Sequence, residues 1–299
     1  MSTASHTIER RAERQVVLRA GVVAIFQLCL LMGFAPGTPA QTTDEVVAKV
    51  LAARGGLEKA KSVQAERITG TIYFGPEMYG PFLAEFKRPG KMHNEVTLQN
   101  KTVVRTFNGK DAGWVVNPFV GKDAPEPMSA EDLKEVVGEA DFDGPLIDAK
   151  AKGNLIELAG TEKVEGRDAY ILKVTHKDGK VSSYSFDTKT FLLARWSGTD
   201  TINGEDVNRE TLFHDYRDVG GLKFAFELVS NNPGTDVTQR IVVDKIEIDP
   251  QIDDSHFAKP AVASAAPATA PLATPPGGAE RVSARGESSE PGGLISTEE

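Results

Sequence analysis

The sequence predicts a mainly β protein with a few helices, its dozen or so short strands forming one large antiparallel sheet or an open barrel. Three observations predict it. Apolar residues alternate with polar ones at period two over many short runs, as in Ile68, Gly70, Ile72 and Phe74 against Thr69, Thr71 and Tyr73, and again in Leu222, Phe224, Phe226 and Leu228. Turn signals recur between the runs, among them Pro89-Gly90, Gln99-Asn100 and Asp178-Gly179. Between Asn108 and Asp148 the β pattern gives way to a helix.

Taken in order, Thr43 or Asp44 is placed to cap a first helix with Val46, Val47, Val50 and Leu51 on one face, stopped by Gly55-Gly56. Leu57 to Lys61 adds a short turn. Strands follow over Ile68 to Phe74, Phe82 to Lys87, Met92 to Leu98 and Thr102 to Phe107. The central segment opens with a strand over Ala112 to Asn117 centred on Trp114, then a Gly/Pro-punctuated loop over Phe119 to Met128. Ser129 and Asp132 then form a capping box, Asp replacing the usual Glu. Leu133, Val136, Val137 and Ala140 follow at i, i+3, i+4 and i+7, giving one apolar face. Both a helix closing an ordinary core and a lid over an apolar cavity satisfy that pattern. Strands resume at Leu155 to Leu158, Ala169 to His176, Val181 to Phe186, Thr190 to Trp196, Val207 to Tyr216, Leu222 to Leu228 and Val237 to Ile248.

Composition bounds the rest. Residues 1–40 read as a cleaved signal peptide: Arg10, Arg11, Arg14 and Arg19 lead into an apolar run, Ala20 to Ala35, too short to span a membrane, and Thr38-Pro39-Ala40 offers small residues for cleavage. The single cysteine, Cys29, lies in that run. The mature chain is therefore expected to lack disulfides, thiolate chemistry and cysteine-based metal sites. Loss of four Arg and two Glu takes the formal charge from -9 to -11, which disfavours nucleic acid and anionic membrane surfaces as partners. From 259 to 299 the chain is rich in Pro, Ala, Ser and Gly and is expected to stay disordered. One domain over 41–258 remains, long enough to bury a sizeable core.

No catalytic constellation stands out, and an enzyme is not expected. There is no Gly-x-Ser-x-Gly, no phosphate-binding loop and no dinucleotide fingerprint. His93, His176, His214 and His256 show no metal-ligand spacing, and no cofactor is expected. Neighbours on a strand point to opposite faces, so His214 and Asp215 do not cooperate. The pairs Asp141/Asp143 and Asp253/Asp254 read as helix-end and turn residues. What the sequence offers is apolar capacity. Phe74, Phe82, Phe86, Trp114, Phe119, Phe142, Trp196, Phe213, Phe224 and Phe226 are more large rings than a thin two-layer core requires; a concave sheet lined by them is able to hold acyl chains, and burying a chain of about twelve carbons gains on the order of 10 kcal/mol.

Four stretches carry a resemblance: Ala53-Arg54-Gly55-Gly56-Leu57-Glu58-Lys59, Phe86-Lys87-Arg88-Pro89, Gly113-Trp114-Val115-Val116-Asn117-Pro118-Phe119 and Ala140-Asp141-Phe142-Asp143-Gly144-Pro145-Leu146. With the closing Ile252-Asp253-Asp254-Ser255-His256-Phe257, they resemble a divergent branch of the outer-membrane lipoprotein-sorting-like family, the LolA/LolB superfamily. The resemblance implies an incomplete, strongly bent antiparallel barrel whose helices plug an acyl-chain cavity, and it favours the lid reading. It also implies a strand arginine that helps gate the helices, for which Arg88 and Arg105 are the candidates. The expected lining is Ile72, Phe74, Phe82, Phe86, Trp114, Val116, Phe119, Trp196, Phe224 and Phe226, with Leu133, Val136, Val137 and Phe142 on the lid. The expectation is a periplasmic, non-enzymatic carrier or receptor for lipoprotein or phospholipid acyl chains, with an inner- or outer-membrane protein as a further partner. An envelope sensor that binds proteins on its sheet is the alternative, and a hydrolase a more distant one.

Overall fold

The computed structural model describes residues 41–202, 205–231 and 237–261, which fall within one compact unit. The leader read at 1–40, and all but the first three residues of the tail read at 259–299, lie outside the described residues.

The architecture is a single 13-stranded antiparallel sheet. Its first half is a meander: β1 (Ala65–Phe74), β2 (Met78–Lys87), β3 (Lys91–Leu98), β4 (Lys101–Phe107), β5 (Gly113–Asn117) and β6 (Lys122–Pro127). The second half is another: β7 (Leu155–Val164), β8 (Arg167–Thr175), β9 (Val181–Asp187), β10 (Leu193–Ile202), β11 (Glu205–Val219), β12 (Leu222–Asn231) and β13 (Thr238–Ile248). The first and last strands, β1 and β13, pair in the middle and join the halves. The two ends of the sheet, β6 and β7, do not pair with each other, so the barrel stays open.

That topology dictates what covers the concave side. The chain between the two free edges, 128–154, has to cross the opening. It carries α3 (Ala130–Glu139), the Phe142–Leu146 loop and α4 (Ala149–Lys152). Ahead of the central strand come α1 (Thr43–Arg54) and α2 (Leu57–Ser62). Helix α1 lays Val46 and Val50 on Leu172 and Phe186 of the second half. Helix α3 lays Val136 and Ala140 on Met92 and Phe107 of the first half. Between them Ala60 of α2, Val63, Ile147 and Leu222 form a third cluster.

Local chemistry explains the elements. The α3 capping box is present as expected: Ser129 Oγ accepts from the Asp132 amide at 3.1 Å and Asp132 accepts from the Ser129 amide at 3.2 Å. Helix α1 is capped by Thr42, with Glu45 in a capping box, one residue before the earlier of the two expected caps; Thr43 Oγ1 instead accepts from the Leu158 amide of β7. Gln99 and Asn100 both have positive φ, the conformation a two-residue hairpin demands between β3 and β4. The loop expected over Phe119 to Met128 holds strand β6. Its Pro125 and Pro127 disguised it, yet prolines are tolerated on an edge strand that lacks a partner on one side. The short strand expected at Leu155 to Leu158 continues to Val164 across an irregularity before Gly160.

Candidate functional site

An apolar cavity of about 470 Å³ lies on the concave side of the sheet, at its centre. Its walls come from Ile68 on β1, Phe82, Ala84 and Phe86 on β2, Phe213 and Tyr216 on β11, Phe224, Ala225 and Leu228 on β12, and Ile241, Val243 and Ile246 on β13. Tyr184 and Phe186 on β9, with Phe191 to Leu193 ahead of and at the start of β10, complete the far wall. Val50, Leu51 and Arg54 of α1 and the segment Asp143 to Leu146 cover it. Almost the whole lining is apolar, the polar exceptions including Arg54, Asp143 and Lys223.

The cover is held by ions and carbonyls. Arg88, just past β2, grips Asp143 with both terminal nitrogens at 2.6 and 2.7 Å and donates through Nε to the Val63 carbonyl at 2.7 Å. Its guanidinium also lies 4.8 Å from the centre of the Phe142 ring. Hydrogen bonding to Arg88 holds the Asp143 carboxyl below its ordinary pKa, against the opposing effect of partial burial. Arg54, at the end of α1, donates to the Asp143 and Phe142 carbonyls over 3.4 and 3.3 Å, long and weak contacts. Gly55 lets α1 end here: at φ 123°, a Cβ would sit 2.3 Å from the Gly221 carbonyl oxygen. Glu66 lies one step along the same face of β1 from Ile68 and is only 5% exposed. Burial pushes its carboxyl up to about 7, although Arg54 acts in the opposite direction.

The two arginines singled out from the sequence have matching roles. Arg88 ties the sheet to the Phe142–Asp143 loop. Arg105 of β4 ties it to α3 through Glu139, at 2.8 and 3.3 Å.

Of the expected lining, Phe82, Phe86 and Phe224 border the cavity. Ile72 and Phe74 lie further along β1, where Ile72 pairs with Ile241 and Phe74 with Gln239. Phe226 packs with Val243 and Ile246, and Trp196 pairs with Tyr184 on β9. Trp114 and Val116 stand on the other side of the sheet. Successive pairings place Glu85, His93, Thr106 and Trp114 in one row, and Thr106 in that row donates outward to the Ala258 carbonyl. Val116 shares that side, opposite Val104. Phe119 is exposed, with the Lys101 ammonium 5.4 Å from its ring centre.

The lid expectation is relocated in the same way. Leu133, Val136 and Val137 of α3 do not border the cavity: Val136 is fully buried against β3 and β4, Leu133 packs beside it, and Val137 is 55% exposed. Phe142 packs against Phe86 and Arg88 beside the cover. The covering residues that the sequence left unmarked are Val50, Leu51, Arg54 and Leu146. The Val46/Val50 helical spacing was the available signal for α1.

The aspartate pairs serve structure. Asp141 accepts from Lys152, Asp253 caps the short turn Asp254–Phe257, and Asp254 accepts from Lys87 and Lys91, each at 2.8 Å, which holds its carboxyl at about 2. His214 lies 3.7 Å from Glu165, while Asp215 pairs with Arg217.

No protein-family model and no curated protein matches the chain. Among solved structures, a DUF1329 family protein from Desulfovibrio piger is similar with 14% identity and a TM-score of 0.47, over 73% of this chain and 98% of that one. An outer membrane lipoprotein-sorting protein domain from Vibrio parahaemolyticus follows at 13% and 0.46, over 72% and 95%. A LolA superfamily protein from Nitrosomonas europaea follows at 12% and 0.45, over 74% and 99%.

Proposed function

We propose that the protein is a periplasmic, non-enzymatic carrier or receptor that takes acyl chains of lipoproteins or phospholipids into its central cavity, in the service of outer-membrane lipoprotein sorting. The observation that carries this reading is the cavity itself: about 470 Å³ of almost wholly apolar space under a cover that Arg88 fastens through Asp143. A packed interior leaves few voids larger than a water, so an apolar recess of this size at the centre of the sheet is a site for an apolar ligand. Transfer of each methylene from water contributes about 0.8 kcal/mol, so a chain of ordinary length offsets the cost of shifting the cover. The basic, then apolar, leader supports export.

The reading is tested by purifying the full mature chain and analysing solvent extracts by mass spectrometry, alongside titration with a fluorescent fatty acid. Ala84 and Ala225 are small residues on the wall. Ala84→Trp and Ala225→Trp are expected to abolish binding while circular dichroism stays native. A chain that co-purifies with no lipid and binds no probe is not a carrier. The rival reading, a sensor that uses its sheet as a protein-binding face over a solid interior, has no use for this void.

A further inference from the structure

Resting on the carrier reading and narrowing it, we propose that the cavity takes an acyl chain whose head group is anionic, and that Arg54 binds that head group. The almost wholly apolar walls suit the chain.

Charge points to Arg54. Arg54 borders the cavity where α1 meets the covering loop. Among the described residues no carboxylate lies within ion-pair distance of it, and its hydrogen bonds are the two long ones to backbone carbonyls. The other cations nearby are spoken for: Arg88 is satisfied twice over by Asp143, and Lys223 lies 3.4 Å from Asp218. A guanidinium at the end of an apolar cavity recognises a carboxylate or phosphate with two parallel hydrogen bonds. Glu66 reinforces the fit. It is buried on the cavity side of β1 without a hydrogen-bond partner among the described residues, and Arg54, Arg88, Asp143 and Asp249 are the charges that bear on it. In its protonated form it is neutral and adds a donor, so an anion arriving beside Arg54 meets no opposing charge from it.

The test uses the delipidated full chain and cis-parinaric acid, a naturally fluorescent single-chain acid, with its methyl ester as the uncharged control. The acid is expected to bind one to one, and the ester about tenfold more weakly. Arg54→Gln is expected to weaken the acid about tenfold and leave the ester unchanged, while Arg54→Lys keeps most of the affinity. Displacement by palmitate identifies a fatty acid as the source of the chemistry; displacement by lysophosphatidylglycerol identifies a lysophospholipid; either supports the proposal. Equal affinity for acid and ester, or equal weakening of both by Arg54→Gln, overturns head-group recognition. Saturable binding of no lipid at all overturns the carrier reading as well.

Discussion

Glu66 makes the native state hold a proton. Its carboxyl has no hydrogen-bond partner among the described residues, and burial raises it from 4.5 to about 7 in the fold. The folded protein therefore binds a proton that the unfolded chain releases between those values. Stability linked to Glu66 is fully present below pH 4.5, falls as pH rises toward 7, and levels off above. The shift corresponds to about 3 kcal/mol as an upper figure. Glu66→Gln is expected to flatten that slope and to stabilise the protein by about 2 kcal/mol at pH 8 and little at pH 4.5, read from urea melts. An unchanged slope in the variant assigns the pH dependence to another group. Asp143 behaves with the opposite sign: the hydrogen bonds from Arg88 hold its carboxyl low, so its contribution is present above pH 3.8 and is lost as pH falls. A double-mutant cycle of Arg88→Ala and Asp143→Ala is expected to give a coupling of about 1–2 kcal/mol, since the pair is bidentate and partly shielded. Coupling near zero makes the contact a surface ornament and not a fastening.

At the scale of the element, α3 separates what a pattern discloses from what only packing decides. Its cap and its apolar stripe were legible in Ser129, Asp132 and the Leu133/Val136/Ala140 spacing. Which object the stripe covers was not, because a helix face reads the same whether it meets a filled core or the edge of a void. Val136→Ala is expected to destabilise by about 2 kcal/mol and Val137→Ala by less than about 0.5, neither altering lipid affinity. A large drop in affinity for either returns α3 to the role of lid. Trp114 was misplaced for a related reason. Period two says that Trp114 and Val116 share a side, but only the pairing through β4, β3 and β2 says which side. The hairpins were read because their turns are chemically explicit. The cavity's far wall, Tyr184, Phe186 and Phe191, was not, because its residues meet those of β1 and β2 only once the sheet curves.

At the scale of the whole molecule, the last described segment straps the outside of the sheet. Ile252 and Phe257 are buried with Ala65. Asp254 pairs with Lys87 and Lys91, and His256 lies 2.8 Å from the nearly inaccessible Glu85, which also accepts from Arg67 at 2.7 Å. Phe257→Ala is expected to cost about 3–5 kcal/mol, measured as a shift in the urea midpoint at constant m. A cost below about 1 kcal/mol would make the strap a passive tail.

The pairing of β1 with β13 sets the order of events during synthesis. Glu66 meets Ile248 across nearly the whole length of the domain, whereas every other neighbouring pair of strands is consecutive in sequence. During synthesis the early meander is able to pair locally while its innermost strand waits with one side bare. Only when the final strand emerges does the seam close. Until then the β1 side of the future cavity, Ile68 among its residues, has no neighbour across the seam.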